Sequence, residues 1–281
     1  MENNKVWFIT GASKGLGLTL AKKLLAQGYK VAATSRNKKA LIEAIGNASL
    51  NFLPLEMDLV NEKNVKNAVE VAISHFKKID VVVNNAGYGQ IGTLEELSDE
   101  ESRKNYDVNV FGLLNVIRNT LPYLRANKSG HIFNIASIGG YHGGFAGWGI
   151  YCSTKFAVAG LTEALAEEVK SFGIKVTLVY PGYFRTNFLS DESIVIPKNI
   201  INEYVEARES QMLHQNQING NQPNDPEKGI EVLIQMAKEV HPPLHLFLGA
   251  DALEMVDQKI KIIENEVEKW KPESLSTAFE H

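Results

Sequence analysis

Cysteine is almost absent: the 281 residues contain one, Cys152. No internal disulfide framework is therefore available, and the composition suits a reducing compartment. Long apolar runs are missing too. The longest, VWFI and the three valines of DVVVNN, fall far short of the roughly 20 residues a membrane-spanning helix needs. No basic tract exists, since the 29 Lys and Arg are scattered among 33 acidic residues for a net charge of -4. That balance argues against nucleic acid or an anionic membrane as a partner. The seven histidines, among them His75, His131, His142, His214, His241 and His245, show no H-x-x-x-H or Cys/His ligand spacing, so no metal site is expected. The opening MENNKVWFITGA has no charged leader before a cleavable apolar core, and a soluble, cytoplasmic protein is expected. No fixed-period repeat and no dividing linker is visible, which leaves one domain spanning 1–281.

What is present is alternation. Short β-branched runs precede longer segments of helical period: KVWFIT then GLTLAKKLLAQG, KVAATS then KKALIEAI, NFLPLEMD then NVKNAVEVAISHF. The order continues through DVVVNN, a helical stretch over about 101–124, HIFNIA, a helix over about 151–172, and KVTLVY. Strands apolar on both faces that alternate with helices predict an α/β fold with a parallel sheet covered on both sides. After Tyr180 the pattern loosens. Residues 187–226 are polar and rich in Asn and Gln, with a helical piece over about 199–214. A connection of that length reads as a lid over a site. Helices over about 226–239 and 250–270 flank a last apolar run, HLFLG, and residues 272–281 read as a loose tail. Ile260, Ile263 and Val267 recur at helical spacing in the last helix and are read as core.

Chemistry gathers in two places. The first strand runs into TGASKGLG, where Gly11, Gly15 and Gly17 suit a strand-to-helix turn whose backbone approaches a pyrophosphate at a helix N-terminus. The spacing departs from G-x-G-x-x-G, and an ordinary tight turn would use glycine as well. The second strand ends Thr34, Ser35, Arg36. With no carboxylate to hold a ribose 2′-OH, and a guanidinium able to grip a 2′-phosphate, NADP(H) is the expected cofactor. Lys14 adds a second positive charge in the turn. The other place is YCSTK, in which Tyr151 and Lys155 are four residues apart and share one face of a helix. A phenol titrates near pH 10, and an adjacent ammonium is expected to lower that value and make a proton-transfer pair. Cys152 points about 100° away along the helix and reads as packing.

Seven motifs stand in one order: TGASKGLG, MDL with Asp58, NNAG at 84–87, DVNVFG with Asn109, NIASIGG with Ser137, YCSTK, and PGYFRT at 181–186. In these the chain resembles the short-chain dehydrogenase/reductase family over nearly its whole length. The stretch NNAGYGQIGTLEELSDEESRKNYDVNVFG is similar to the branch of hydroxysteroid and retinol dehydrogenase-like members. The resemblance implies a single-domain Rossmann fold with a doubly wound, mostly parallel seven-stranded sheet. It implies interconversion of a ketone or aldehyde with an alcohol by hydride transfer, with Tyr151 as general acid/base. Lys155 would tune the phenol and bond the nicotinamide ribose, Ser137 would hold the substrate oxygen, and Asn109 would anchor a water relay behind Lys155. Cofactor contacts are expected from Gly11, Ser13, Lys14, Gly15, Leu16, Gly17, Ser35 and Arg36. Further contacts are expected from Asp58 and Leu59 at the adenine, from Asn85, Ala86 and Gly87, and from Pro181, Gly182 and Thr186 at the carboxamide. Family members pair through helices corresponding to about 101–124 and 151–172, so a homodimer or homotetramer is expected. His142, Phe145, Trp148 and Phe188 are candidates to line an apolar substrate pocket.

Overall fold

A computed structural model describes residues 4–279. Strands β1 (Val6–Ile9), β2 (Lys30–Ser35) and β3 (Phe52–Glu56) alternate with helices α1 (Gly15–Ala26), α2 (Lys38–Ile45) and α3 (Glu62–Phe76). Strand β4 (Val81–Asn84), a short β5 (Gly89–Gln90), helices α4 (Asp99–Tyr106) and α5 (Gly112–Asn127), and β6 (Gly130–Ile135) follow. Then come α6 (Gly149–Val169), β7 (Ile174–Pro181), β8 (Ile194–Val195), α7 (Val205–Met212), α8 (Pro226–Met236), β9 (His245–Leu248) and α9 (Ala250–Leu275). The main sheet has seven strands, all parallel, in the order β3-β2-β1-β4-β6-β7-β9. Strands β5 and β8 form a separate two-stranded pair.

The period of two along each strand decides which core a side chain enters. In β1, Val6 and Phe8 join one core, and Trp7 and Ile9 the other. The first core is closed by α3, α5 and α6 through residues such as Val69, Val116 and Val158. The second is closed by α1, α2 and α8 through Leu20, Leu24, Leu41, Leu233 and Ile234. Being buried on both faces is why these strands read as continuous apolar runs. The chain winds outward from β1 to β3, then crosses back to β4. The crevice at the C-terminal ends of β1 and β4, where the winding reverses, is the place such sheets offer a ligand.

Two expectations for the C-terminal region are corrected. Helix α9 continues through Pro272 to Leu275, so a helix occupies the start of the segment read as a loose tail, whose last two positions, 280 and 281, lie outside the described residues. The apolar positions of α9 are not core: Ile260, Ile263 and Val267 are 39%, 43% and 61% exposed. The helix is anchored by its first turn, where Ala252 is buried. Among the described residues no helix is long and apolar enough to cross a membrane.

Candidate active site

A cavity of about 580 Å³ opens along the C-terminal edge of the sheet. At its first strand-to-helix turn Gly11 has φ +67°, and a Cβ there would lie 2.8 Å from the Cα of Ala86. A Cβ on Gly17 would lie 2.5 Å from the Gly11 carbonyl oxygen, so Gly17 lets α1 pack on the turn rather than line the cavity. The turn is sewn to the end of β4: Asn85 Nδ2 donates to the carbonyls of Thr10 and Gly11, each at 3.0 Å. No side chain caps the N-terminus of α1, and its first turn holds no acidic residue. Gly15 and Leu16 line the cavity there. An uncapped helix start free of carboxylates suits a diphosphate, and this cradle fits a dinucleotide.

Ser13, Ser35, Arg36, Asp58, Leu59, Ala86 and Gly87 line the same space on one side of this cradle, and Pro181, Gly182, Thr186 and Phe188 on the other. Ser35 Oγ donates to Ser13 Oγ at 3.2 Å. Arg36 is exposed and makes no hydrogen bond or ion pair among the described residues. Lys14 also lines the cavity, with its Nζ donating to the Glu192 carbonyl at 2.7 Å. Both side chains of that pair are largely solvated, so the tether is weak.

Tyr151 and Lys155 sit on one face of α6, both buried, with Lys155 Nζ 5.9 Å from the phenol ring centre. Lys155 donates to the Ile135 carbonyl at 3.0 Å, and burial lowers its ammonium to about 8. The phenol behaves opposite to the expectation from spacing alone: burial, the largest influence, pushes Tyr151 well above its ordinary value, and the neighbouring Ser137 hydroxyl only partly offsets this. The reason is physical. An ammonium 5.9 Å from the ring centre and already bonded to a carbonyl does not repay the loss of water around a phenolate. Tyr151 is therefore held as the neutral acid. Ser137 lines the cavity beside it, its Oγ accepting from the Gly139 N–H at 3.1 Å.

Asn109 lies behind the cavity rather than in its wall. Residues 107–111 form a π-helical step between α4 and α5, a widened turn of the kind that gathers at functional sites. It delivers Asn109 to the loop after β4, where Nδ2 donates to the Tyr88 carbonyl at 3.0 Å and to Thr154 Oγ1 at 3.1 Å. Asn109 Oδ1 accepts from the Tyr88 N–H at 3.1 Å. Its side chain thus pins the β4 loop to α6.

Aromatic side chains close the far end. Trp148 is 5.7 Å and Phe188 5.8 Å from the Tyr151 ring, centre to centre, and Phe145 joins them. His142 does not line the cavity; its ring packs edge-on against Phe145. Cys152 does line it, against the direction expected from helical spacing, but burial pushes its thiol up to about 11, so it is a neutral packing group. Among the lining residues outside the expected set are Tyr183 and His214, joined Oη to Nε2 at 2.9 Å across 31 positions of sequence. Among the described residues no cluster of His, Cys, Asp or Glu could hold a metal.

An uncapped helix start beside a buried Tyr–Lys pair at the reversal point of a parallel sheet defines a dinucleotide-binding oxidoreductase. The comparisons narrow this. Residues 5–194 match the family model for short chain dehydrogenase. The chain is 34% identical over 276 residues, 98% of itself and 99% of the relative, to the oxidoreductase BOA17 of Botryotinia fuckeliana. It is 43% identical over 190 residues, 68% of each chain, to a 3-ketodihydrosphingosine reductase of Bacteroides thetaiotaomicron. A crystal structure of a short-chain dehydrogenase from Streptomyces avermitilis superposes with a TM-score of 0.89 at 32% identity, covering 98% of this chain and 100% of that one. The chain belongs to the short-chain dehydrogenase/reductase family. Solved relatives hold either form of the nicotinamide cofactor. One is 3-ketoacyl-(acyl-carrier-protein) reductase from Brucella melitensis complexed with NADH, at 26% identity and TM-score 0.72, covering 90% of this chain and 100% of that one. Another is ElxO with NADP bound, at 27% identity and TM-score 0.73, covering 89% and 99%.

Proposed function

We propose that the chain is an NADP(H)-dependent reductase of ketones or aldehydes, running in reverse as an alcohol dehydrogenase, with Tyr151 as the general acid/base. The observation that carries this is the buried, neutral phenol opening onto the dinucleotide cavity beside Ser137 and Lys155. The nicotinamide supplies or takes the hydride. Of the chain's own groups, Tyr151 gives its phenolic proton to the carbonyl oxygen as the C–O double bond becomes single, and takes a proton back from an alcohol in reverse. Ser137 holds that oxygen by donating a hydrogen bond, and Lys155 stabilises the phenolate left behind. Asn109 keeps the β4 loop and α6 in register. Arg36 and Ser35, at the end of a strand that carries no carboxylate of its own there, receive a 2′-phosphate.

The aromatic end of the cavity supports an apolar carbonyl substrate, as expected of the hydroxysteroid and retinol dehydrogenase-like branch. The name of the Bacteroides thetaiotaomicron relative supports a ketone. Residues 187–226 act as the lid that selects it. A second copy packs against α4, α5 and α6, where Phe111 and Phe156 stand 53% and 40% exposed, and the protein works in the cytoplasm.

Tyr151→Phe tests the reading. Loss of a positioned acid costs about 10²–10⁴-fold, so NADPH oxidation across a panel of ketones and aldehydes should fall by that factor while NADPH still binds. Tight NADPH binding by the wild type with no turnover in either direction would replace the enzyme by a binding-only redox sensor.

A further inference from the structure

The Tyr183–His214 pair has a fixed hydrogen-bond polarity. His214 is buried at the start of the π-helical segment 213–218, and its Nδ1 lies 2.6 Å from the Ser210 carbonyl oxygen. A carbonyl only accepts, so Nδ1 carries the proton. Burial keeps the ring neutral by lowering its basicity, which leaves Nε2 with a bare lone pair. Tyr183 Oη, 2.9 Å away, must then donate to it. With its only proton spent on His214, the Tyr183 oxygen presents lone pairs alone to the cavity that both residues line. The surrounding surface is aromatic: the His214 ring is 4.8 Å from Trp148, itself 5.7 Å from Tyr151.

We propose that Tyr183, polarised by His214, is a hydrogen-bond acceptor that selects carbonyl substrates bearing a donor group, a hydroxyl or an ammonium, within a few bonds of the reacting carbon. This deepens the reductase reading and rests on it. Tyr183 sets specificity by touching the substrate, and His214 is a positioning residue acting through Tyr183. The pair takes no part in the proton or hydride balance.

The test compares an eight-carbon methyl ketone with its relatives bearing a hydroxyl on the first, second or third carbon from the carbonyl. The matching methyl ethers and amines complete the set. For at least one position, kcat/KM with NADPH should favour the hydroxyl or amino compound over the methyl ether by about three- to tenfold, the value of one net hydrogen bond. Which of the two wins identifies the donor. Tyr183→Phe should bring that ratio near one, and so should His214→Phe, which frees the Tyr183 hydroxyl to turn and donate to an ether. A general packing defect would lower both rates and leave the ratio. Calorimetric binding of the diols and their monomethyl ethers, with no oxidised nicotinamide present to accept a hydride, gives a second readout that needs no turnover. If no carbonyl compound is reduced, the reductase reading fails while the diol titration still tests the acceptor. A wild-type protein that reduces ketones yet prefers neither donors nor diols overturns the proposal, as does a preference that survives both substitutions.

Discussion

At the scale of single residues, the proposed NADP(H) preference rests on Arg36 and Ser35. Arg36 is exposed and has no ion pair or hydrogen bond among the described residues, and the Ser35 hydroxyl bonds only Ser13 Oγ and the Asn37 N–H. A guanidinium to phosphate bond is charge-assisted and contributes roughly 1.5–3 kcal/mol. Replacing Arg36 by Ala should therefore raise the Kd for NADPH by about 10- to 100-fold and leave NADH nearly unchanged. Ser35→Asp should go further, because a carboxylate there repels the 2′-phosphate and accepts from a 2′-hydroxyl. Titrations of both variants with both nucleotides decide it, and equal loss for the two would place Arg36 away from the phosphate.

At the scale of elements, the segment 187–226 proposed as a lid is tied down by buried carboxylates. Glu96, with its side chain fully buried, accepts from the Ile201 N–H at 2.9 Å and from Arg208 Nη2 at 2.7 Å. Glu101, in the capping box that starts α4, accepts from the Lys198 N–H at 3.0 Å. For Glu96, burial pushes its carboxyl up. The Thr93 and Ile201 backbone donors and the Arg208 charge outweigh that and leave it below the ordinary 4.5. A depressed carboxylate contributes stability that is complete above the unfolded-chain value and is lost as pH falls below it. The latch should therefore hold at neutral pH and weaken as pH falls from about 4.5 towards the lower value that the carboxyl has in the fold. Arg208→Leu leaves a buried carboxylate short of a partner, a change that costs roughly 3 kcal/mol. Hydrogen exchange of residues 196–212 should quicken accordingly, with the sheet unaffected, and unchanged protection there would mean that the backbone donors suffice. None of this latch was legible in the sequence, because its partners are separated by 105 and 112 positions. The sheet was legible, since a strand buried on both faces must be apolar throughout. The Tyr151–Lys155 pair was legible because helical spacing alone brings it together. The π-helical step that delivers Asn109 and the tautomer of His214 depend on packing, which has no local signature. The stripe of Ile260, Ile263 and Val267 was misread because period marks an apolar face without telling whether anything covers it.

At the scale of the whole molecule, acid stability depends on one histidine in the sheet. His131 of β6 is 3% exposed, and its Nε2 lies 2.9 Å from Thr177 Oγ1. That hydroxyl donates to the Pro243 carbonyl at 2.9 Å, so it accepts from His131, and Nε2 carries the proton. Nδ1 is then a buried lone pair with no partner among the described residues, where an added proton would find no acceptor. Burial above all, with the positive charges of Lys175 and Lys5, lowers the ring to about 3. A histidine depressed in the folded state binds its proton only on unfolding. Its effect on stability is absent above its ordinary 6.5 and grows as pH falls from there towards 3. Each pH unit in that window removes up to about 1.4 kcal/mol, or about 2 kcal/mol by pH 5. Urea unfolding at pH 7 and pH 5 should show a wild-type loss of that order beyond whatever the carboxylates and the buried His214 add. His131→Phe keeps an aromatic ring against Phe133, whose centre is 3.9 Å away, and has nothing to titrate. Its loss between the two pH values should be smaller than that of wild type by about 2 kcal/mol, even though it begins less stable at pH 7 for want of the Thr177 bond. Equal losses in the two proteins would show that His131 accepts a proton in the folded state.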